Sequence, residues 1–585
     1  VISKLLNYKI LKLDFKMANI RDGAGELLRI RIPRKDLFEL HQSILNSAAY
    51  QVTIGGTLLY DRSKSYINKE LLDGNATVDY SATRFLYIIE VFNWHMQLSE
   101  ITRSVFVAKK RVWQSIYKNF ARQKNIEVIF QKNSLRDFLE KFNLITRFRA
   151  IPQTYLLLKK IKYMDLLSFP IKTQISCKNT LFVEGRGDIN VENNGENSDF
   201  FWQMNSEFPK NNILYQYETQ EEKEKLRRYG VIPVSGTADI KDLFKSSNNY
   251  SAPTKVSKYE EEYRQIHKLL RTYKSNHFFW SSFFKKYKTR IFLTWYKYDG
   301  HHMVVGDAIK SVGGISAMWQ MAFDGYTNFE NHVDVDILFS FSKHSVEIDR
   351  QLGSKYLYNV ISGYPKDYAN NILQKKADQL RSKLQSKGAK NIVCVFDENS
   401  LDDSRWHTGH ELQKENYSYI LEELLSDHEL GVIFKPKAAK TLRDRLGETK
   451  DLLAQAEKTG RFFIFDESGR HTTTAPPLLA SLASDISIHG HLCAGSAAVE
   501  SALAGIPTLL VDREGTPISK LNELPRGKVI FSNWSETITA LKEYFSSGKQ
   551  IDGFGDWSLI KHDLDPFNDG LGAYRMGMYL NSILQ

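Results

Sequence analysis

The chain has 585 residues, more than one hydrophobic core usually supports, and this length predicts about three structural units. Hydrophobic residues make up 42% and charged residues 25%, which is ordinary for a soluble globular protein. Three cysteines, far apart and odd in number, speak against a disulfide framework or a zinc site and fit a reducing cytoplasm.

The net charge of +11 favours an anionic partner. Because no nucleic-acid-reading motif accompanies it, we favour a membrane surface over nucleic acid, with plain solvation of the charges as an equal alternative. No apolar run is long enough to span a bilayer, and the basic opening stretch 1–15 lacks a secretory cleavage pattern. The prediction is a cytoplasmic protein, with peripheral contact to the inner face of the cell membrane.

Residues 1–178 predict a mostly helical α/β extension. The stretch 84–123 has helical periodicity, and 125–130 has the pattern of a strand. The basic amphipathic stretch 156–169 is typical either of a membrane-surface helix or of a helix packed on a partner. We expect this extension to serve acceptor or membrane docking.

Two successive regions of alternating strands and helices follow, which predicts an α/β fold with two Rossmann-like domains. The first spans 179–364 and contains the buried-type strand RIFLTWY; Gly363-Tyr364-Pro365 after it is the expected interdomain hinge. The second spans 365–560, with strands at NIVCVF, GVIFK and RFFIF. Residues 561–585 predict a C-terminal helix that crosses back to the first domain.

The stretch 485–512 predicts the ligand site of the second domain. It contains a strand, a small-residue turn, a helix ending at Gly505, a Gly-Ile-Pro exit and a second strand. The turn lies at the carboxyl end of a strand, and its NH groups with Ser496 suit a phosphate. Glu500 comes one helical turn later and suits ribose hydroxyls. The alternative is a plain packing unit with a capping serine and a solvated glutamate.

This stretch resembles the donor-nucleotide site of GT-B glycosyltransferases, with its G-S/T-x-x-x-E turn and G-x-P exit. VIFKPK is similar to the strand end of bacterial surface-polysaccharide enzymes of that class, with Lys437 replacing their histidine. The tail DPFNDGLGAYR adds to the resemblance, which covers the chain from about residue 201. It implies two domains facing a cleft, no metal and no cofactor, and donor contacts from the residues Lys435, His489, Gly495, Ser496, Ala497 and Glu500.

If the reaction inverts configuration, a catalytic base is expected in the first domain, facing the cleft; the sequence leaves a retaining mechanism open. Asp299, His301 and His302 follow the carboxyl end of RIFLTWY, where ligand-binding residues tend to lie. Asp299-Gly300 faintly resembles the catalytic motif of bacterial GT-B sialyltransferases. Asp324 is the competing base. The alternative for Asp299 is a turn residue before a glycine, with the histidines starting a helix.

Other carboxylates carry weaker signals. Asp334 and Asp336 precede an apolar strand, and we interpret them as solvated strand-end residues because no third ligand is spaced to hold a metal. Asp397 and Glu398 end the first strand of the second domain, as caps or as donor contacts.

The sequence therefore predicts a metal-independent glycosyltransferase of capsule or lipopolysaccharide biosynthesis, moving sugar from a nucleotide-sugar donor to a glycan or lipid-linked acceptor. Three alternatives stay open. They are a transferase of CMP-sugars such as a sialic-like acid or Kdo, a sugar-nucleotide epimerase, and a non-catalytic scaffold of the same fold.

Overall fold

The computed structural model describes residues 34–54, 60–72, 82–98, 100, 102–109, 112–131, 180–185, 189–191, 198–203, 206–235, 260–327, 331–398, 400, 410–465, 475–492, 495–513 and 519–585. The predictions for 1–15 and 156–169, and two of the three cysteines, Cys177 and Cys493, fall outside these ranges. Within them, every helix is too short or too polar to traverse a bilayer.

The N-terminal extension is helical with one small parallel sheet. Its elements are α1 (Arg34–Leu45), α2 (Ala48–Ile54), α3 (Ser63–Leu72), α4 (Ala82–Leu98), β1 (Ser104–Lys109), α5 (Gln114–Gln123) and β2 (Ile126–Gln131), with β1 pairing β2. Its buried residues, among them Phe85, Tyr117 and Ile67, join one hydrophobic cluster with Phe182 and Phe292 of the next domain. The extension therefore shares a core with the first domain, because its apolar helix faces pack against that domain's helices Glu260–Tyr287 and His301–Lys310.

The first domain is a seven-stranded parallel sheet in the order β5-β4-β3-β6-β7-β8-β9. Its elements are β3 (Thr180–Val183), β4 (Ile213–Tyr217), α6 (Gln220–Tyr229), β5 (Ile232–Ser235), α7 (Glu260–Tyr287), β6 (Thr289–Thr294), α8 (His301–Lys310), β7 (Ile315–Trp319), β8 (Ile337–Ser340), α9 (Lys343–Gln351) and β9 (Tyr358–Ile361). Strands β3 and β8 are buried throughout, as parallel strands covered on both faces must be. The chain starts at the central strand β3 and adds β4 and β5 on one side. It then adds β6 to β9 on the other side, so the order of strands switches between β3 and β6, as in Rossmann sheets.

The second domain has the same winding in six parallel strands, β12-β11-β10-β13-β14-β15. Its elements are α10 (Ala369–Gln385), β10 (Asn391–Phe396), α11 (His410–Ser426), β11 (Leu430–Lys435), α12 (Leu442–Leu446), α13 (Thr449–Lys458), β12 (Phe462–Ile464), α14 (Pro477–Leu482), β13 (Ile486–His489), α15 (Ser496–Leu503), β14 (Thr508–Val511), β15 (Ile530–Phe531), α16 (Trp534–Ser546) and α17 (Ser558–Leu564). Separate hydrophobic clusters cover its two faces. The switch point here lies between β10 and β13.

The tail folds onto the segment that joins the two domains. Asp565 Oδ2 accepts the Tyr364 N–H at 2.9 Å, and Asp565 Oδ1 accepts the N–H of Phe567 at 2.9 Å. Arg575 donates to the Ser362 carbonyl at 3.0 Å. The DPFNDGLGAYR segment thus holds the crossover, the segment around residues 362–366 that joins the two domains. Its carboxylate and guanidinium bond backbone groups of the crossover that would otherwise be unpaired.

The last helix, α18 (Gly572–Leu584), belongs to the core of the first domain. Ala573, Met576 and Leu580 lie in one cluster with Phe201 and Trp319. A Cβ on Gly577 would lie 2.0 Å from the Trp202 carbonyl oxygen, so glycine permits this close approach. The expected fold class, two Rossmann-like α/β domains with a mostly helical α/β extension, is confirmed.

Candidate functional site

The carboxyl edges of the two sheets lie on opposite sides of one cleft. Burial alone would lower the pKa of Lys437, which follows β11. Glu398 more than offsets this effect and raises the pKa, and Tyr298, which follows β6, adds a smaller contribution. Tyr298 and Lys437 are therefore within electrostatic range across the cleft. Ligands of open α/β sheets bind at these edges, next to the switch points.

Beside the cleft, the domains touch directly. The Phe323 N–H donates to Ser496 Oγ at 3.0 Å, and the Lys520 N–H donates to the Gly325 carbonyl at 2.8 Å. Ser496, predicted to contact phosphate, therefore has a partner from the first domain. A hydroxyl that accepts one hydrogen bond keeps its own hydrogen for a second bond, so this contact is compatible with an anionic ligand.

The predicted donor turn is tightly packed. Gly495 is buried at the start of α15, and a Cβ there would lie 3.0 Å from Leu521 Cδ1. Ala497 is half-buried, and Ala498 behind it is buried in an interdomain cluster with Phe323. A side chain at position 495 would therefore press on Leu521, because that segment approaches the turn closely.

Glu500 is buried and bonded to the crossover, so the solvated glutamate considered above does not occur. Its Oε2 accepts the Tyr364 hydroxyl at 2.8 Å, and its Oε1 accepts the Leu478 N–H at 3.2 Å. Burial raises its pKa, while Lys366, these two hydrogen bonds and Lys435 oppose the rise. Glu500 therefore connects α15 to the interdomain segment.

Two lysines bring positive charge to this carboxylate. Lys435, the last residue of β11, is buried; burial lowers its pKa to about 8, and Asp397 and Glu500 limit the fall. Lys366 follows the hinge, and its charge acts on both Lys435 and Glu500. The sequence interpretation missed Lys366; its position just after Gly-Tyr-Pro was the available signal. Together these cations suit an anionic ligand.

Asp397 and His489 support the neighbouring strand ends. Asp397 accepts the Tyr417 hydroxyl at 2.8 Å and the Lys437 N–H at 2.7 Å. His489 is buried, and its Nδ1 accepts the His491 N–H at 3.2 Å. The sequence left two roles open for Asp397, a cap or a donor contact. In the structure it caps the backbone N–H of Lys437.

On the first-domain side, the structure places the predicted base candidates in different surroundings. Asp299 Oδ1 accepts the His301 N–H at 2.9 Å, which is the turn role considered above. Asp324 is ion-paired with Lys297 and accepts Asn331 Nδ2 at 2.8 Å.

His302 is not brought to the cleft. Its side chain is fully buried, and within the described ranges neither ring nitrogen has a hydrogen-bond partner. Burial holds its pKa well below the usual value. A buried, neutral imidazole cannot meet an acceptor hydroxyl, so the structure does not support His302 as a base.

A different pair lies at the first switch point. Glu184 directly follows β3, and its Oε1 lies 3.1 Å from Nε2 of His301, the first residue of α8. Glu184 Oε2 accepts the Thr294 hydroxyl at 2.8 Å. Glu184 was not among the predicted site residues, although a carboxylate directly after an apolar strand was the same signal that marked Asp397.

Asp334 and Asp336 are buried, which corrects their interpretation as solvated residues. Arg62 of the extension bonds both, with Nε–Oδ1 of 2.9 Å to Asp334 and NH2–Oδ1 of 2.6 Å to Asp336. The two carboxylates are fixed by a cation from a segment far away in sequence.

The two sheets, their crossover and the returning helix form the arrangement of GT-B proteins. No family model and no curated protein matches the chain. Among solved structures, the chain is similar to UDP-GlcNAc 2-epimerases from Methanocaldococcus jannaschii (11% identity, TM-score 0.42) and Neisseria meningitidis (10%, 0.42), each match covering 69% of this chain and 100% of the other. It is also similar to the wall teichoic acid polymerase TagF (11% identity, TM-score 0.41, 76% of this chain and 98% of the other).

Proposed function

We propose that the protein is a glycosyltransferase that moves a sugar from a nucleotide-sugar donor to a glycan or lipid-linked acceptor of a surface polysaccharide. The observation that supports this most is that Lys435 at the end of β11, Lys366 after the hinge and Glu500 on α15 interact electrostatically. The cations suit the diphosphate, and Glu500, which already accepts bonds from Tyr364 and Leu478, keeps further lone pairs for a ribose hydroxyl. Opposite them lies an edge with its own acid and base groups.

The chemistry needs stabilisation of the charge that develops on the departing nucleotide. Preorganised cations and N–H donors provide this, and removal of one such donor typically costs about 10²–10³ in kcat. Lys435 and the turn at Gly495–Ala497 are the proposed donors, supported by His489. This assignment makes the reaction independent of a bound metal.

The acceptor is proposed to bind the first domain, which also supplies an Asp or His base. The N-terminal extension is packed on that domain and is proposed to help acceptor or membrane docking. A cytoplasmic location, with peripheral contact to the inner face of the membrane, would bring a lipid-linked acceptor within reach.

A thermal-shift panel of UDP, GDP, CDP, CMP and dTDP tests the donor site. A nucleotide present at about 100 times its Kd stabilises the protein by about 2.7 kcal/mol. Glu500→Gln should reduce that shift, because an amide loses the charge and one acceptor. Glu543→Gln, an exposed matched change in the same domain, should not. If no nucleotide stabilises the protein, the proposal fails.

Incubation of the matching nucleotide sugar then separates the remaining alternatives. A transferase releases nucleotide faster when acceptor glycan is added. An epimerase converts the sugar with no acceptor present, and a scaffold does neither. For a CMP-sugar transferase, CMP should be the one nucleotide of the thermal-shift panel that stabilises the protein.

A further inference from the structure

We propose that His301, oriented by Glu184, is the group that takes the acceptor proton; this rests on the proposed glycosyl transfer. Glu184 follows β3 and His301 begins α8 after β6, and β3 and β6 are the paired strands at the switch point of the sheet. Their 3.1 Å contact lets Nε2–H donate to the carboxylate. A carboxylate in this position fixes the tautomer and orientation of the ring, and the opposite nitrogen then takes the proton.

The carboxylate is itself held in place. Thr294 donates to Glu184 Oε2 at 2.8 Å, which leaves Oε1 aimed at His301. Glu184 is buried, whereas the His301 side chain is 24% exposed. The edge of the His301 ring also contacts Trp280, at 5.8 Å between ring centroids. The imidazole is therefore held between Glu184 and Trp280 and is still partly exposed to solvent.

The loop that carries His301 is fixed by the N-terminal extension. Glu70 on α3 accepts the Gly300 N–H at 2.9 Å, and Lys69 donates to the Lys297 carbonyl. A Cβ on Gly300 would lie 2.5 Å from the Tyr66 ring, so only glycine fits beneath the loop. Since Tyr298 of this loop is in electrostatic range of Lys437, the loop faces the donor side.

The proton balance of the step is complete. The acceptor oxygen forms a bond to the anomeric carbon as its proton passes to the imidazole of His301. The bond between that carbon and the diphosphate oxygen breaks, and its electron pair leaves with the nucleotide. Glu184 stabilises the resulting imidazolium, and the proton then passes to water. Glu184 is thus a positioning residue and His301 the proposed base.

Carbethoxylation by diethyl pyrocarbonate tests the pair without any substrate. The reagent attacks neutral imidazole, so the modification rate against pH has a midpoint for each histidine, read by peptide mass spectrometry. The ionisable groups around His301 are Glu184, Glu70, Asp299 and His302. Glu184→Gln should move the His301 midpoint down by about one pH unit or more, because the anion that favours imidazolium is lost. The Glu70 and Asp299 charges remain.

Two controls belong to this measurement. Exposed His428 is an internal reference in every digest, and its midpoint should not move. Glu221→Gln removes an exposed carboxylate of the same domain and should leave both midpoints unchanged. An unmoved His301 midpoint in Glu184→Gln overturns the pair, whatever the enzyme's turnover.

Turnover is then measured as nucleotide release from a panel of UDP-N-acetylglucosamine, GDP-mannose, CMP-N-acetylneuraminic acid and dTDP-glucose, with acceptor glycan. His301→Asn should lower kcat by about 10²–10⁴ with the donor KM kept. Glu184→Gln should lower kcat less and shift the acid limb of the pH profile to lower pH. Normal turnover of His301→Asn overturns the base assignment. A wild-type enzyme that releases no nucleotide from any donor overturns the proposed function itself, even where the midpoint moves.

Discussion

The buried ion pairs of Arg62 yield a quantitative prediction about how the N-terminal extension is held. The Arg62 side chain is 6% exposed, and those of Asp334 and Asp336 are each 8% exposed. Arg62→Met keeps most of the volume of the side chain but leaves both carboxylates without their cation. The backbone bond from Arg62 N–H to Asp307, at 3.0 Å, is unaffected by the change.

Loss of one partner from a buried pair typically costs about 3–5 kcal/mol, since it strands a desolvated charge. Asp336 keeps two 2.8 Å hydrogen bonds from Ser316, one from its N–H and one from its hydroxyl, which places the expected cost toward the lower end. Because each 1.4 kcal/mol is a factor of ten, the opened population of α3 should rise by about two to three orders of magnitude.

Hydrogen exchange of the α3 amides, Ser63–Leu72, measures this opening directly. The matched control is Arg103→Met, in the same extension, where Arg103 is 74% exposed beside Glu127 and should contribute little. Adding Asp334→Asn and Asp336→Asn to Arg62→Met should recover part of the protection. Equal exchange in the Arg62 and Arg103 variants would refute the reasoning.

Three further predictions concern charge and packing. Burial lowers the pKa of Lys435 to about 8, so nucleotide affinity by calorimetry should fall between about pH 7 and pH 9, and permanently charged Lys435→Arg should remove that fall. Burial raises the pKa of Asp349 to about 7, so ionisation of this carboxyl destabilises the folded state increasingly as the pH rises to that value. Asp349→Asn should therefore raise the unfolding temperature more at pH 8 than at pH 5. Equal gains at the two pH values would contradict this. Gly577→Ala should lower the free energy of unfolding by about 1–3 kcal/mol through its clash with Trp202, whereas exposed Ser582→Ala should change little; equal denaturation curves would argue against the clash.

Much of the fold was accessible from the sequence, since strands buried on both faces appear as short apolar runs such as ILFS and NIVCVF. Their alternation with helices predicted two Rossmann-like domains, and the structure confirms them. The small-residue turn after β13 also marked a close approach of chain segments. These features are local, so they can be predicted from residues that are close together in the sequence.

The candidate site depends on pairs of side chains that lie far apart in sequence, so no local sequence pattern predicts their contacts. Thr294 and Glu184 are 110 positions apart, and Arg62 and Asp334 are 272 apart. His301 and His302 are adjacent and chemically identical, yet one meets Glu184 and the other is buried in the core. The sequence by itself determined which segments become strands and helices, through their hydrophobic periodicity. Only the tertiary structure decided which side chains meet, because strand order and helix rotation follow from how all the apolar faces pack together.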